Sequence, residues 1–403
     1  MNAPRFLPAA FAITNFVVPL FPPFITLTAV TIPGVSLLPP SFAIVLLAVM
    51  TCIAVYGTAL LMRRPIERPP TLAPLLGWVA AAFIAAVLGF NPLGGMLFLG
   101  IFGLGVIWHL ALLRYYTYPG VNRAIFWSYL LSGAFASLAA IVMVVARIPA
   151  DQYTIGHGRA IGTFILPGEL AGYLIIFLPI AFAVARVTTS TALRVLALCA
   201  LVIGTAAFAL TFSRAGWMGF AAAVAFYAFA TGIVRRRYAP LIVLAGLAAV
   251  LVVFNAHHNP AENYTRLSIW QAGLEIVRRF PLTGVGPFDF ARIYPLVRLP
   301  DGDLTAFHAH SFLLTIFAET GIAGIVAVLW AWIRFAVILR EQLRRARPAH
   351  AALALAVAAG LVGTWVQGLI DTVSVVLFGL WLPSMALALV TATYGLEEQP
   401  RSP

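Results

Sequence analysis

The chain has 403 residues, 62% of them hydrophobic and 9% charged, with a formal net charge of +12. A soluble domain carries about a quarter charged residues, so the composition excludes one and implies a protein that crosses a membrane many times. The 25 basic residues are all arginine. They are not concentrated in soluble segments as a nucleic-acid surface requires, so no nucleic-acid partner is expected.

Apolar runs of about 20 residues, the length that spans a bilayer, number about twelve. The first, residues 8–30, follows Arg5 without a small-residue cleavage site and is expected to be a span, not a removed signal peptide. Pro19, Pro22 and Pro23 would kink it or divide it into a re-entrant pair. The next runs are 41–62, 71–90, 95–115, 124–146, 170–187, 195–213, 216–234 and 239–256; after a polar interval come 311–338, 351–370 and 373–394. Cys52 and Cys199 both fall inside apolar runs, so neither a disulfide framework nor a thiolate metal site is expected. The fold class is thus an all-α polytopic membrane protein of about twelve helices. It forms a single membrane domain over residues 1–403, with a helical loop, 257–310, between spans nine and ten.

Orientation follows from arginine placement. Connections after even-numbered spans carry Arg63, Arg64 and Arg68, then Arg114 and Arg123, Arg186 and Arg194, Arg235 to Arg237, and Arg340, Arg344, Arg345 and Arg347. Positive residues mark the cytoplasmic side, which puts both termini in the cytoplasm. Residues 147–169, Arg214, the 257–310 loop and Asp371 then share the outer face.

Arginines on that face run against the rule and need a reason. Arg159 precedes Gly162-Thr163-Phe164 and Pro167. Arg214 sits in Phe212-Ser213-Arg214-Ala215-Gly216-Trp217, a very short turn between two apolar runs. It is either a snorkelling helix-end arginine or, as Ala215 and Gly216 favour by permitting close backbone approach, one facing an interior cavity. In the long loop, Tyr264, Leu267, Trp270, Leu274 and Val277 recur at helical spacing. This predicts an amphipathic helix over 263–280, its apolar stripe against the membrane or over a cavity, with Arg266 off the stripe and Arg278-Arg279 at its end. Pro281 ends that helix. Gly284-Val285-Gly286-Pro287 makes a tight turn that lacks the spacing of a phosphate loop.

His308-Ala309-His310 follows. Residues two apart in extended chain face the same way, so the pair with Asp301 or Asp303 is compatible with a metal site, though without fixed ligand spacing. His310 also opens a span beginning Ser311-Phe312, which sets its imidazole at the outer interface where a neutral histidine accepts a proton. Glu319 lies nine residues further on. It either orients an arginine or the histidine or is a helix-end carboxylate reaching water or a backbone donor; Asp371 leans to the second reading.

These residues carry a family resemblance. Ser213-Arg214-Ala215-Gly216-Trp217, Arg266 with Trp270 and Pro281-Leu282-Thr283-Gly284-Val285-Gly286, and His310-Ser311 before Gly321-Ile322-Ala323-Gly324 resemble motifs of the O-antigen ligase and polymerase superfamily. Arg159 with Gly162-Thr163-Phe164 and Pro167 is a softer match, with Gly168 where the family often has Asn. The resemblance covers roughly residues 150–380. Ile325 stands where ligases tend to have Ser or Thr, a departure from the ligase pattern.

The resemblance implies a multi-pass enzyme of the bacterial inner membrane, working on its periplasmic face. The donor is a glycan on undecaprenyl diphosphate, and the acceptor is a hydroxyl of lipid A–core or of another glycan. Arg214 and Arg266 would hold the diphosphate and His310 would act as base, with Arg159, Trp270, Gly284, Gly286, His308 and Glu319 around the substrates. Neither metal nor cofactor is implied. The chemistry is coherent: arginine gives bidentate phosphate contacts and stays charged near lipid, and a diphosphate leaving group needs no strong acid. Attack opposite it inverts the anomeric centre. A ligase is the first expectation, a polymerase the alternative. A transporter is third, because no inverted repeat is visible and ionisable residues avoid span centres.

Overall fold

A computed structural model describes residues 7–20, 69–116, 120–148, 150–164, 166–238, 240–241, 260–304, 306–345 and 348–371, with single positions 244, 246 and 248. All regular structure among these residues is helical. The elements are α1 (Leu7–Leu20), α2 (Leu72–Leu88), α3 (Pro92–Tyr115), α4 (Val121–Ala146), α5 (Ala150–Ile155) and α6 (Pro167–Val187). They continue with α7 (Thr191–Leu210), α8 (Arg214–Ala230), α9 (Pro260–Arg279), α10 (Phe290–Val297), α11 (Phe312–Arg345) and α12 (Pro348–Gly368). The expected spans at 41–62 and 373–394, most of 239–256, and the second half of 8–30 lie outside the described residues.

Five of the described helices are long and apolar enough to cross a membrane: Val121–Ala146, Pro167–Val187, Thr191–Leu210, Phe312–Arg344 and Ala351–Gly368. Leu72–Leu88 and Val106–Tyr115 are shorter apolar helices. Helix starts follow local chemistry. Asn91 caps α3, its Oδ1 accepting from Gly94 N–H at 3.2 Å, with Pro92 at the first position. Ser213 caps α8 in the same way, accepting from Gly216 N–H at 3.1 Å. Polar caps of this kind satisfy amide donors that a helix start leaves open.

The bundle is built around α6, apolar on every face and buried along most of its length, against α4, α7, α8 and α12. A helix hydrophobic all round belongs inside a bundle. Small residues set the tightest crossing, as usual between helices in lipid. A Cβ on Gly219 of α8 would come within 2.5 Å of the Gly363 carbonyl oxygen of α12. Gly219 also meets Gln367 while Gly363 meets Ala223, so the two helices run antiparallel.

A second, separate core lies over one end of this bundle. It joins Ile269, Ala272 and Ile276 of α9, Val285, Phe290, Ile293 and Tyr294, Ala306 and Ala309, and Ala318 of α11. The helix expected over 263–280 is present as α9. Of its expected apolar stripe, Leu267 and Leu274 are 54% and 59% exposed and Tyr264 is exposed too, while Trp270 and Val277 are half-buried. The face that packs on α11 is built from small residues: a Cβ on Gly273 would lie 2.9 Å from Leu314 Cδ2.

Candidate active site

Arg214 is placed by a turn with little freedom. Phe212 has φ +45°, a left-handed value that closes the link between α7 and α8 in three residues. Thr211 Oγ1 donates to the Phe208 carbonyl at 2.7 Å and accepts from Ser213 N–H at 3.3 Å. Arg159 reaches over from the preceding segment. Its Nε donates to the Thr211 carbonyl at 2.8 Å and its Nη2 to the Phe212 carbonyl at 3.3 Å. These are carbonyls that the end of a helix leaves unsatisfied, so Arg159 braces the turn that presents Arg214. The Ala160 amide adds a bond to the Leu210 carbonyl at 2.9 Å. Arg214 is half-buried at the first position of α8.

The antiparallel α8–α12 pair locates Arg214 against the rest. It lies five residues before Gly219, about 7.5 Å along the helix. That is level with the end of α12, where Leu369, Ile370 and Asp371 turn back on Val366 and Gln367 carbonyls. Gln367 itself donates to the Gly168 carbonyl at the start of α6, at 2.9 Å.

The other site residues meet at this same end. Arg266 of α9 donates from Nη1 to the Ile370 carbonyl at 3.2 Å. Trp270, one turn on, donates from Nε1 to the His310 carbonyl at 3.4 Å. His310 Nδ1 lies 3.7 Å from Asp371 Oδ1. His310 has φ +46°, and its amide donates to Nδ1 of His308 at 3.2 Å. The two rings stand edge-on, 4.5 Å between centroids. The Ala309 amide donates to Thr315 Oγ1 at 3.1 Å. A rare backbone conformation is thereby held by a ring nitrogen, an indole and a hydroxyl. Left-handed strain that the surroundings enforce clusters at functional sites.

Electrostatics divide the two histidines. Burial, then His310 and Arg266, push the His308 imidazole down to about 3, overriding the pull of Asp371, so it is neutral near pH 7. Burial works against ionisation of Asp371, but His310, His308 and Arg266 outweigh it and hold that carboxyl below its ordinary range. A carboxylate, an arginine and two imidazoles therefore share one half-buried patch at the mouth of the bundle.

The glycine-rich turn sits differently. Val285 and Gly286 donate their amides to the Ala318 and Glu319 carbonyls at 2.9 and 3.0 Å, and Ile322 donates to the Pro281 carbonyl at 2.9 Å. Gly284 has φ +69° and Gly286 φ +111°, and across from them Gly321 breaks α11 at φ +64°, ψ −162°. The turn is thus locked against a break in α11. Its amides are spent on protein carbonyls. The Glu319 carboxyl takes hydrogen bonds from the Phe288 and Phe290 amides, so backbone donors hold it. Asp289, buried, accepts from the Asn91 amide at 2.8 Å, tying the α2–α3 turn to the same loop, and burial raises its pKa.

Among the described residues, no three His, Cys, Asp or Glu side chains are grouped to hold a metal ion. Asp301 and Asp303, weighed as ligands, meet tyrosines of α9 and α10. Asp301 accepts from the Tyr264 hydroxyl, and the Asp303 carbonyl accepts from that of Tyr294 at 3.1 Å.

The structure adds the short helix α10 to what the sequence reading singled out, and it brings Asp371, which leaned there to a plain helix-end carboxylate, beside His310. Phe290, Ile293 and Tyr294 at three- and four-residue spacing were the available signal for α10. Asp371 carried none beyond its place at the outer end of a span.

Fold and site together define a helical membrane protein in which Arg266, His308, His310 and Asp371 meet at one end of the bundle. Residues 199–329 match the family model described as O-antigen ligase. The match runs from α7 into α11, taking in Arg214, Arg266, Trp270, Gly284, Gly286, His308, His310 and Glu319, while Arg159 and Asp371 fall outside it. The resemblance to the O-antigen ligase family is therefore shown over this segment, and it supports a bacterial membrane enzyme of glycosyl-transfer type. No curated protein matches the chain.

Proposed function

We propose that this protein transfers a glycan from an undecaprenyl diphosphate carrier to an acceptor hydroxyl at the periplasmic face, as an O-antigen ligase whose acceptor is lipid A–core. The observation that carries the reading is the convergence of Arg266, Trp270 and His310 on the end of α12, level with Arg214, within a segment similar to O-antigen ligases. The donor's lipid stays in the bilayer. Its diphosphate meets Arg214 and Arg266, whose planar charge grows more favourable as the leaving group departs. His310 takes the proton of the attacking hydroxyl, and attack opposite the diphosphate inverts the anomeric carbon. No metal is used. Arg186 and Arg194, Arg235 to Arg237, and Arg340 and Arg344 lie at the opposite ends of these helices, which supports an outward-facing site by the positive-inside rule.

Ile325, where ligases tend to have Ser or Thr, favours a polymerase as the second reading, with another lipid-linked glycan as acceptor. The test is purified protein in nanodiscs with a polyprenyl-diphosphate glycan, EDTA and both acceptors, wild type against His310→Ala. Acceptor-dependent release of polyprenyl diphosphate, lost in the variant, is expected. The acceptor that works separates ligase from polymerase, and absence of turnover with every acceptor overturns both.

A further inference from the structure

We infer that Asp371 is a positioning residue for His310: it holds the imidazole as the Nδ1–H tautomer and leaves Nε2 as the base that faces the acceptor hydroxyl. The inference rests on the transferase reading for its chemistry and on geometry alone for the pairing. Nδ1 of His310 is buried and has no hydrogen-bond partner among the described residues, a costly state for a ring nitrogen. The charged group it faces is Asp371, at 3.7 Å. That is longer than a hydrogen bond, and catalytic contacts of this kind tighten when substrate binds. His308 is not an alternative partner, because its own Nδ1 already accepts the His310 amide. A carboxylate beside one ring nitrogen fixes the proton there and frees the other nitrogen to accept.

Four further contacts show that the pairing is built into the site. Arg266 grips the Ile370 carbonyl, the peptide bond that leads into Asp371. The Asp371 amide is bonded to the Gln367 carbonyl at 3.0 Å. On the other side, Trp270 and His308 hold the His310 backbone by its carbonyl and amide. Both partners are thus fixed through their main chains by residues that face the same patch. The titratable and charged groups against His310 are Asp371 and His308, with Arg266 next to both.

The step balances. The acceptor oxygen forms its bond to the anomeric carbon while its proton passes to Nε2. The bond from that carbon to the diphosphate oxygen breaks, and its electron pair leaves on the diphosphate. The resulting imidazolium is stabilised by the Asp371 carboxylate until the proton passes to water. Arg266 accordingly has two tasks, countering the diphosphate charge and holding the segment that carries Asp371.

The experiment uses the full-length protein in nanodiscs, labelled with ¹⁵N-histidine, and compares wild type, Asp371→Asn and Asp371→Glu. The His310 signal is assigned by its loss in His310→Gln. Expected is a wild-type His310 with the proton on Nδ1, shifting toward Nε2 in Asp371→Asn and back in Asp371→Glu. In turnover, Asp371→Asn should lower kcat by about 10²–10⁴-fold, the range for losing a competent base, with KM changed only a few-fold. Asp371→Glu should recover part of kcat. A wild-type His310 protonated on Nε2, or a folded Asp371→Asn variant with unchanged tautomer and kcat, overturns the inference. If no acceptor supports turnover but the tautomer still responds to Asp371, the pairing stands and the transferase reading alone falls.

Discussion

Gly321→Ala tests the lock between the glycine-rich turn and the break in α11. Gly321 has φ +64° and ψ −162°, a region essentially closed to residues with a Cβ, where the strain is about 1–3 kcal/mol. A Cβ there would also lie 2.2 Å from the Leu282 carbonyl oxygen, 2.4 Å from its carbon and 2.6 Å from the Thr283 nitrogen, all backbone atoms that no rotamer can move. Carbon and oxygen need about 3.3 Å, so the turn must retreat by about 1 Å. That displacement breaks the bonds from Ile322 to Pro281, from Gly286 to Glu319 and from Val285 to Ala318, each worth about 0.5–1.5 kcal/mol. Strain and lost bonds together come to about 2.5–7.5 kcal/mol, a large part of a usual stability of about 5–15 kcal/mol. The assay is thermal unfolding in nanodiscs, with Gly103→Ala as control, since a Cβ at Gly103 meets nothing within 4 Å among the described residues. Alanine in a helix interior gains up to about 1 kcal/mol over glycine, so the control should melt at or above wild type. Gly321→Ala should melt several degrees lower and lose transfer activity. Equal melting of the two variants would refute the lock.

Other perturbations separate charge from geometry. Arg266→Lys should lose most of kcat despite keeping its charge, because an ammonium cannot match the planar fork; equal kcat in a turnover assay would remove the bidentate argument. Arg159→Ala leaves the Thr211 and Phe212 carbonyls without that guanidinium, and bonds to charged groups are worth about 1.5–3 kcal/mol. It should lower the melting temperature and activity together, and a loss of activity at unchanged melting would instead give Arg159 a direct role with substrate. His308, held to about 3 when folded against an ordinary 6.5, takes up a proton in the unfolded chain that the folded chain refuses between those values. Its stabilisation is complete above pH 6.5 and falls on acidification by up to about 1.4 kcal/mol per pH unit. Melting of wild type should therefore drop further from pH 7 to pH 5 than melting of His308→Gln, and equal drops would contradict a His308 held neutral in the fold.

The parts of this molecule that were legible in the sequence are those set by one-dimensional patterns. Runs at 124–146, 170–187, 195–213, 311–338 and 351–370 correspond to helices Val121–Ala146, Pro167–Val187, Thr191–Leu210, Phe312–Arg345 and Pro348–Gly368, because apolar length is a direct requirement of the bilayer. The short turn before Arg214 and the end of α9 at Arg279 were legible for local reasons, a serine cap and Pro281. The face of α9 that meets α11 was not, because hydrophobicity picks out Leu267 and Leu274, whereas the contact with α11 is made at small residues such as Gly273, where the backbones come close. The partnership of His310 with Asp371 was equally hidden, because 61 residues separate them in sequence and no local rule links the end of one helix to the entry of another.

The division of labour among the arginines follows from what each guanidinium touches. Arg159 is committed to two carbonyls of the turn that presents Arg214, and Arg278 and Arg279 are paired with Glu275 at 2.8 and 2.7 Å. Arg266 makes a different contact, donating from one nitrogen to the Ile370 carbonyl. A guanidinium has five donors in a rigid fork, so one bond to a carbonyl fixes its orientation and leaves an edge available for a phosphate. Lysine could make the same single bond without defining a plane. The α2–α3 turn, tied through Asp289, and the broken helix α11, tied through Val285 and Gly286, hold the second core from two sides. A site that stabilises charge on a departing diphosphate gains most when its donors are fixed before the reaction. In the proposed reaction, glycines of the turn and carboxylates held by backbone amides would act through the position of α9, the helix that carries Arg266 and Trp270.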